Sequence, residues 1–459
     1  MNFTPQEVVR DLYWTFNPEE TGTVNWCAFE YLTHFFSSAA EWSAKIQEQT
    51  VIKIIVNDAM NVMELAELHL LNHDHPSIPD RYDGIDLSYL PDIIGGPLAT
   101  FTYGVPILRH DKISELRSWV SFNPTQWASQ DQFLTEYLLL TDRSTITNTF
   151  ATTLTDESSY KERDFHERIS SSNGFCLLML QALSWVRTSN KPMCWDQLMP
   201  RYELIKWLHM HILKLCLPPR RLKVKGQQVY MPLNMTAFFR LIIHLSRVGY
   251  PSHWLSAVLT EICTGRISSQ ARAPKGILMD KSEAMHKHPK RDMFIEPFVE
   301  EFRTHFVIWN HLLPFGILQD KNPLQHIGTI REYKQRFPYS DDTLLTHVYH
   351  PVIALIFWNV SLNGEIPQAG LRQALLDDEN TDPMYQGISS HSGRVHVIST
   401  VKIVTSAMTV SFWFADGPIQ NILSTGSRWE AWLWDTGDWT PRLGPARVDR
   451  MTLMAGETW

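Results

Sequence analysis

Asn57 and Asp58 interrupt an apolar run, VIKIIV (51–56), and precede a stretch with helical spacing, AMNVMELAELHLL (59–71). An acid at the carboxyl end of a strand can accept hydrogen bonds from a ligand at the open edge of an α/β sheet. The same pair is also a preferred N-cap for the following helix, a role worth about 1 kcal/mol. No phosphate-cradling glycine turn accompanies Asp58, so the capping role is favoured. Asp83 and Asp86, with Ser88, bracket a second short strand in DGIDLS (83–88). Two such carboxylates could serve acid–base chemistry. An Asp-Gly turn on entry and a polar loop on exit account for them without any chemistry. His69 and His73 stand four apart with His75 just beyond, a spacing that can grip zinc once a third ligand joins. Histidines near a helix C-terminus also complement its dipole, and no H-E-x-x-H is formed. His209 and His211 fall on different faces of a helix, and His286 and His288 fall in a loop, so no metal is assigned.

Charge is unevenly placed. Residues 218–300 hold 13 Lys+Arg against 6 Asp+Glu, a net +7 inside a chain of net −8. Arg220, Arg221, Lys223, Lys225, Lys287, Lys290 and Arg291 make up most of this island. Only Tyr230 and Phe294 are near enough to interleave with it, so a solvated hairpin and loop is favoured over a nucleic-acid groove. Cys27, Cys176, Cys194, Cys216 and Cys263 are odd in number and form no C-x-x-C, which fits reduced thiols in an intracellular protein. No nucleophile elbow or P-loop is present.

The elements that must position these residues follow from periodicity. Capped at Thr4 with Pro5 and Glu7, residues 5–16 form a helix, and 25–48 form another. Residues 51–56, almost wholly β-branched, predict a strand buried on both faces, as in a parallel sheet. A helix over 59–72 and the strand at 83–88 would complete a βαβ unit. Leu12, Phe16, Phe29, Leu32, Phe36 and Trp42 would then cover this two-stranded remnant. From 110 to 360 the pattern reads as helical, including SELRSWVSF (114–122), CLLMLQALSWV (176–186), MPRYELIKWLHMHILKLCL (199–217) and MTAFFRLIIHLSRV (235–248). PPRRLKVKGQQVYMPL (218–233) reads as a hairpin and 268–292 as a mobile surface loop. GRVHVISTVKIV, AMTVSFWFA and RWEAWLWDT predict a small antiparallel sheet, where Trp413, Trp429, Trp432, Trp434 and Trp439 would pack on the helical body.

IIVNDAMNVMELAE, followed by RYDGIDLSYLPDIIGGPLATFTYGVPIL, resembles the fungal domain family of unknown function that often neighbours MYND-type zinc fingers. The tail GRVHVISTVKIVTSAMTVSFWFADG resembles the terminal strands of that family. The resemblance implies an AdoMet-dependent methyltransferase-like sheet in the N-terminal part. It would place Asp58 toward an adenine, and Asp86, Ser88 and Tyr89 toward the methyl-transfer site. The sequence departs from the pattern upstream, where helices stand in place of strands and a glycine-rich turn; no G-x-G occurs among its 21 glycines.

The expected fold is therefore mixed α/β and α. A partial Rossmann/methyltransferase-like βαβ unit (1–110) joins a large helical body (111–387) and a small C-terminal antiparallel sheet (388–459). The missing glycine turn and the aromatic surfaces favour a non-catalytic interaction or regulatory module without a bound cofactor. An AdoMet-dependent methyltransferase with an unrecognised or missing cofactor loop is the alternative. A protein partner is expected, not nucleic acid. The N-terminus has no signal-peptide pattern and no apolar run reaches membrane-spanning length, so a cytoplasmic or nuclear protein is expected.

Overall fold

The computed structural model describes residues 37, 41, 53–71, 78–88, 90–120, 130–157, 181–188, 192–218, 233–274, 281–286, 288–313, 329–338, 353–375, 387–404, 407–424, 426–437 and 439–458. The chain divides into two units, 1–58 and 59–459. In the first, the expected helices 5–16 and 25–48 fall outside the described residues, apart from helical positions Ser37 and Glu41. The expected strand does not form over its described part. Residues 53–56 join no ladder, and Ile54 and Val56 are 85% and 95% exposed. A β-branched run becomes a strand only where a neighbour completes its hydrogen bonds.

The second unit opens with α1 (Ala59–Glu67), which buries Met63 and Ala66. It is shorter than the periodicity predicts, because His69 takes a left-handed φ of 60° just past its end. Strand β1 (Gly84–Asp86) follows, then a helical run through 91–107. That run changes pitch at a π-helical turn, Thr100–Gly104. There Thr100 and Thr102 hydroxyls donate back to the Gly96 and Leu98 carbonyls at 3.0 and 2.9 Å, contacts that bend and loosen helices. Gly96, at φ 63°, lies so close to the Tyr137 ring that a Cβ would sit 2.5 Å from it.

Strand β2 (Glu115–Val120) pairs parallel with β1 in the register Gly84 to Glu115. A βαβ unit is therefore present, but its strands are 84–86 and 115–120, and its crossover is the run 91–107. After α2 (Gln130–Leu138) and α3 (Arg143–Phe150) come β3 (Thr152–Glu157) and β4 (Gln181–Arg187). These complete a four-stranded mixed sheet of order β1-β2-β4-β3. The stretches 114–122 and 176–186 thus contribute strands that pair antiparallel, Leu116 opposite Trp185, rather than the helices their apolar content suggests. Short apolar runs do not distinguish buried strand from buried helix; the distant partner decides.

The helical body holds α4 (Arg201–Cys216), α5 (Met235–Val248) and α6 (Ser252–Cys263). Asn234 caps α5 through the Thr236 N–H, and Gly249 ends it at φ 117°. The segment expected as a mobile loop is instead organised at both ends. β5 (Arg266–Ser269) and β6 (Arg291–Phe294) form an antiparallel pair, with a helical turn at Lys281–Met285 between them. α7 (Glu296–Trp309) closes the body.

Two four-stranded antiparallel sheets follow instead of one. They use β7 (Ile330–Arg336), β8 (Ile353–Asn359), β9 (Val395–Ile398), β10 (Lys402–Val404), β11 (Thr409–Ala415), β12 (Trp429–Asp435), β13 (Thr440–Arg447) and β14 (Thr452–Thr458), with α8 (Asp416–Leu423) after β11. Their orders are β10-β11-β7-β14 and β13-β12-β8-β9, so strands from before residue 388 sit inside the tail's sheets. Residue parity shows how the layers stack. Ile353, Leu355 and Phe357 of β8 join one apolar cluster with β11 and β7, while Ala354, Ile356 and Trp358 join the cluster of the helical body. β12 divides the same way, Ala431 and Leu433 against Trp432 and Trp434. That sheet is a middle layer buried on both faces, which is why its strands read as unbroken apolar runs. Of the tail tryptophans expected on the body, Trp432, Trp434 and Trp439 pack there. Trp429 lies in the cluster between the two sheets, and Trp413 packs beside Ile330 and Ala415. Among the described residues no helix is long and apolar enough to cross a membrane.

Candidate functional site

Asp58 directly precedes α1, and its N–H donates to Asn57 Oδ1 at 2.8 Å. It is the last residue of the first unit. Asp86 and Ser88 are brought together at the carboxyl end of β1. The Ser88 N–H donates to Asp86 Oδ1 at 2.8 Å, and Ser88 itself sits at a left-handed φ of 48°. This is an Asx turn, in which a short acid closes the chain reversal after a strand. Tyr89 lies outside the described residues. Asp83 is engaged by Lys112 at 2.7 Å and by Arg109 at 3.5 Å, on an exposed rim. His69 meets Asp80 at 2.7 Å, while His73 and His75 lie outside the described residues. No group of three or more metal-ligating side chains gathers among the described residues.

His209 and His211 are buried inside α4. His211 Nε2 donates to the Leu138 carbonyl at 3.2 Å, which the Trp207 indole N–H also reaches at 2.7 Å. Burial and the nearby Lys214 hold His211 down to about 3, and burial and Lys290 hold His209 down to about 4. Both stay neutral near pH 7; His211 ties α4 to the end of α2, whereas both ring nitrogens of His209 lack a hydrogen bond and its Nε2 lies 3.8 Å from Glu261. Of the basic island, Arg220, Arg221, Lys223, Lys225 and Lys287 fall outside the described residues. Lys290 is exposed, and Arg291 takes its place in β6.

The charged groups that sequence reasoning passed over are the buried ones. Lys214 Nζ meets Glu136 Oε1 at 2.7 Å with both side chains out of solvent. Glu67 at the end of α1 takes Arg240 on one oxygen and Arg247 on the other. Arg240 also donates to the Thr102 carbonyl at 2.8 Å, inside the π-helical turn, and its guanidinium lies 4.3 Å over the Tyr103 ring. Glu301 is fully buried and accepts from the Ser399 and Thr400 N–H groups at 2.9 and 2.7 Å; burial still raises its pKa. One signal could have flagged two of these: a lone cation inside an apolar helix, Lys214 in HILKLCL and Arg240 in AFFRLII. Such a charge must be paired.

On the surface, one aromatic corner stands out. The loop from Pro192 to Pro200 is pinned by two of its N–H groups, Met193 donating to the Val248 carbonyl at 2.8 Å and Met199 to the Tyr250 hydroxyl at 3.2 Å. On this rigid base Trp195 is 66% exposed and meets Trp254 edge-on, ring centres 5.1 Å apart. His253 flanks Trp254 at 6.1 Å, and Tyr202, the second residue of α4, is 69% exposed. Large aromatics held open to solvent on fixed backbone present contact area with little side-chain entropy left to lose.

Comparison with protein-family models, with curated proteins and with solved structures finds no match for this chain.

Proposed function

We propose that this chain is a protein-binding module whose recognition surface is the corner formed by Trp195, Trp254 and His253. The observation that carries the reading is Trp195, held open to solvent on a pinned loop with its ring edge-on to the half-buried Trp254. A folded chain of this size has ample interior for two indoles, and the chain buries Trp358 and Trp434 completely. Exposed Trp and Tyr on a stiff base are the residue types that dominate binding energy at protein interfaces. The partner would present an apolar or proline-containing segment to rings already in place.

The test compares the full-length chain with Trp195→Ala and His253→Ala. A partner that co-purifies with the wild type should bind the purified chain directly. Each variant should lower its affinity at least tenfold while thermal melting is unchanged. Binding that is indifferent to both substitutions rejects the reading.

A second reading, an AdoMet-dependent enzyme, draws on one observation: β1 and β2 are parallel, joined by a helical crossover, with Asp86 and Ser88 at the carboxyl end of β1. Ligands of open α/β sheets bind at that edge. Calorimetry with AdoMet is its test, and micromolar binding lost in Asp86→Asn would displace the first reading.

A further inference from the structure

His286 and His288 lie between the helical turn Lys281–Met285 and β6, and their rings meet at 4.3 Å between centres, with planes 60° apart. His286 is exposed and His288 half-buried, so both imidazoles border solvent. The backbone that carries them is tied on either side. Lys206 of α4 donates its Nζ to the His286 carbonyl at 3.0 Å. Arg272, just past β5, donates Nη2 to the Pro289 carbonyl at 2.8 Å. Pro289 also restricts the backbone of His288 to extended conformations. The pair is thus fixed to the body from two different elements.

The ring spacing is one that a shared metal ion would set. An imidazole nitrogen sits about 1.1 Å from its ring centre and about 2.0 Å from a metal on the same line, so the metal lies about 3.1 Å from each centre. Two rings on one ion are then about 4.4 Å apart at a right angle, about 5.1 Å at a tetrahedral angle and about 6.2 Å in line. The observed 4.3 Å matches the right angle. Tetragonal sites of nitrogen and oxygen donors take Cu(II) or Ni(II), and Cu(II) binds the more tightly of the two. Zinc prefers the tetrahedral angle and a third protein ligand, and no third His, Cys, Asp or Glu joins the pair among the described residues. Lys287 and Lys290, the lysines nearest in sequence, oppose a cation, a repulsion that salt screens at an exposed site.

We infer that His286 and His288 form a binding site for Cu(II), supplying two adjacent ligands in its coordination plane. Each ring ligates through one nitrogen and keeps the other for an acceptor, as metal-bound histidines do. The remaining positions of the plane are left to water or an exchangeable donor.

The experiment adds Cu(II) sulfate, in a non-coordinating buffer, to the full-length chain with its exposed thiols blocked by iodoacetamide. Calorimetry should show a site whose affinity falls about tenfold or more in His286→Ala and in His288→Ala, while metal-free thermal melting is unchanged. His286→Ala is the decisive variant, because His286 is exposed and folding should survive its loss. Electron paramagnetic resonance of the one-to-one complex should show splitting from two nitrogens in the wild type and from fewer in His286→Ala. Cu(II) affinity that His286→Ala retains in full overturns the site, since the ion would then sit elsewhere. So does a wild-type spectrum without two-nitrogen splitting, which would leave the ring contact as packing alone.

Discussion

Five histidines, His209, His211, His244, His305 and His396, are at most 5% exposed, and burial is the first cause that lowers each of them. His396 is the cleanest to perturb. It stacks on Trp429 at 5.6 Å and 17°, meets Phe414 edge-on at 6.0 Å, and its Nδ1 has no hydrogen-bond partner. Burial alone takes it from 6.5 to about 4. Because the fold penalises the imidazolium, the unfolded chain binds the proton first as pH falls below 6.5. Stability from this residue is thus fully present above pH 6.5, falls between 6.5 and 4, and is gone below 4. A shift of that size amounts to about 3.4 kcal/mol in full, and to about 2 kcal/mol already lost at pH 5. Five such groups reach the scale of a whole domain's stability, about 5–15 kcal/mol, so the wild type should unfold cooperatively on mild acidification. Glu261, Glu296 and Glu301, whose pKa values burial raises, work the other way, costing stability as pH rises above the ordinary Glu range.

Comparing wild type with His396→Phe cancels the glutamates. The ring is replaced by a ring, so urea unfolding at pH 7.5, followed by tryptophan fluorescence, should differ by less than about 1.5 kcal/mol. Near pH 5 the variant's stability should fall less steeply with acidification, by about 1.2 kcal/mol per pH unit, the share of one proton. Equal wild-type stability at pH 5 and 7.5, or identical slopes for the two proteins, would refute the argument.

Two further outcomes concern the packing around α2. Gly96→Ala drives a Cβ into the Tyr137 ring at 2.5 Å and forces a left-handed φ on alanine, so chemical denaturation should show a loss of about 2 kcal/mol or more. Lys214→Met alone takes the buried ammonium away from the Glu136 carboxylate and should cost about 3–5 kcal/mol, whereas Lys214→Met with Glu136→Leu should recover most of it in the same assay.

What could be read from the sequence was what a helix or a turn settles locally. The long helix α5 appears where its apolar spacing, its Asn234 cap and its Gly249 stop all agree. The Asp86–Ser88 turn is likewise carried by three consecutive residues and was visible as a polar strand exit. Strands are different, because the partner that completes a ladder can be anywhere in the chain. Residues 53–56 have the stronger β composition, yet 115–120 forms the strand, since Val186, Trp185 and Ser184 wait opposite Glu115, Leu116 and Arg117. The same holds for β8, whose apolar run has no alternation because one face meets the second sheet and the other meets the helical body.

Long-range placement obeys the same division: Arg81 and Arg187 reach the adjoining Pro106 and Val105 carbonyls only because the Tyr82–Leu108 bridge and the β2–β4 ladder bring their segments to that edge. A strand ladder that must be closed across some seventy residues, from Glu115 to Val186, costs loop-closure entropy before it returns any contact energy. It is therefore retained only where the packing above it is good, as it is under Phe101, Phe150 and Trp185, whose rings meet at 4.7 and 4.8 Å.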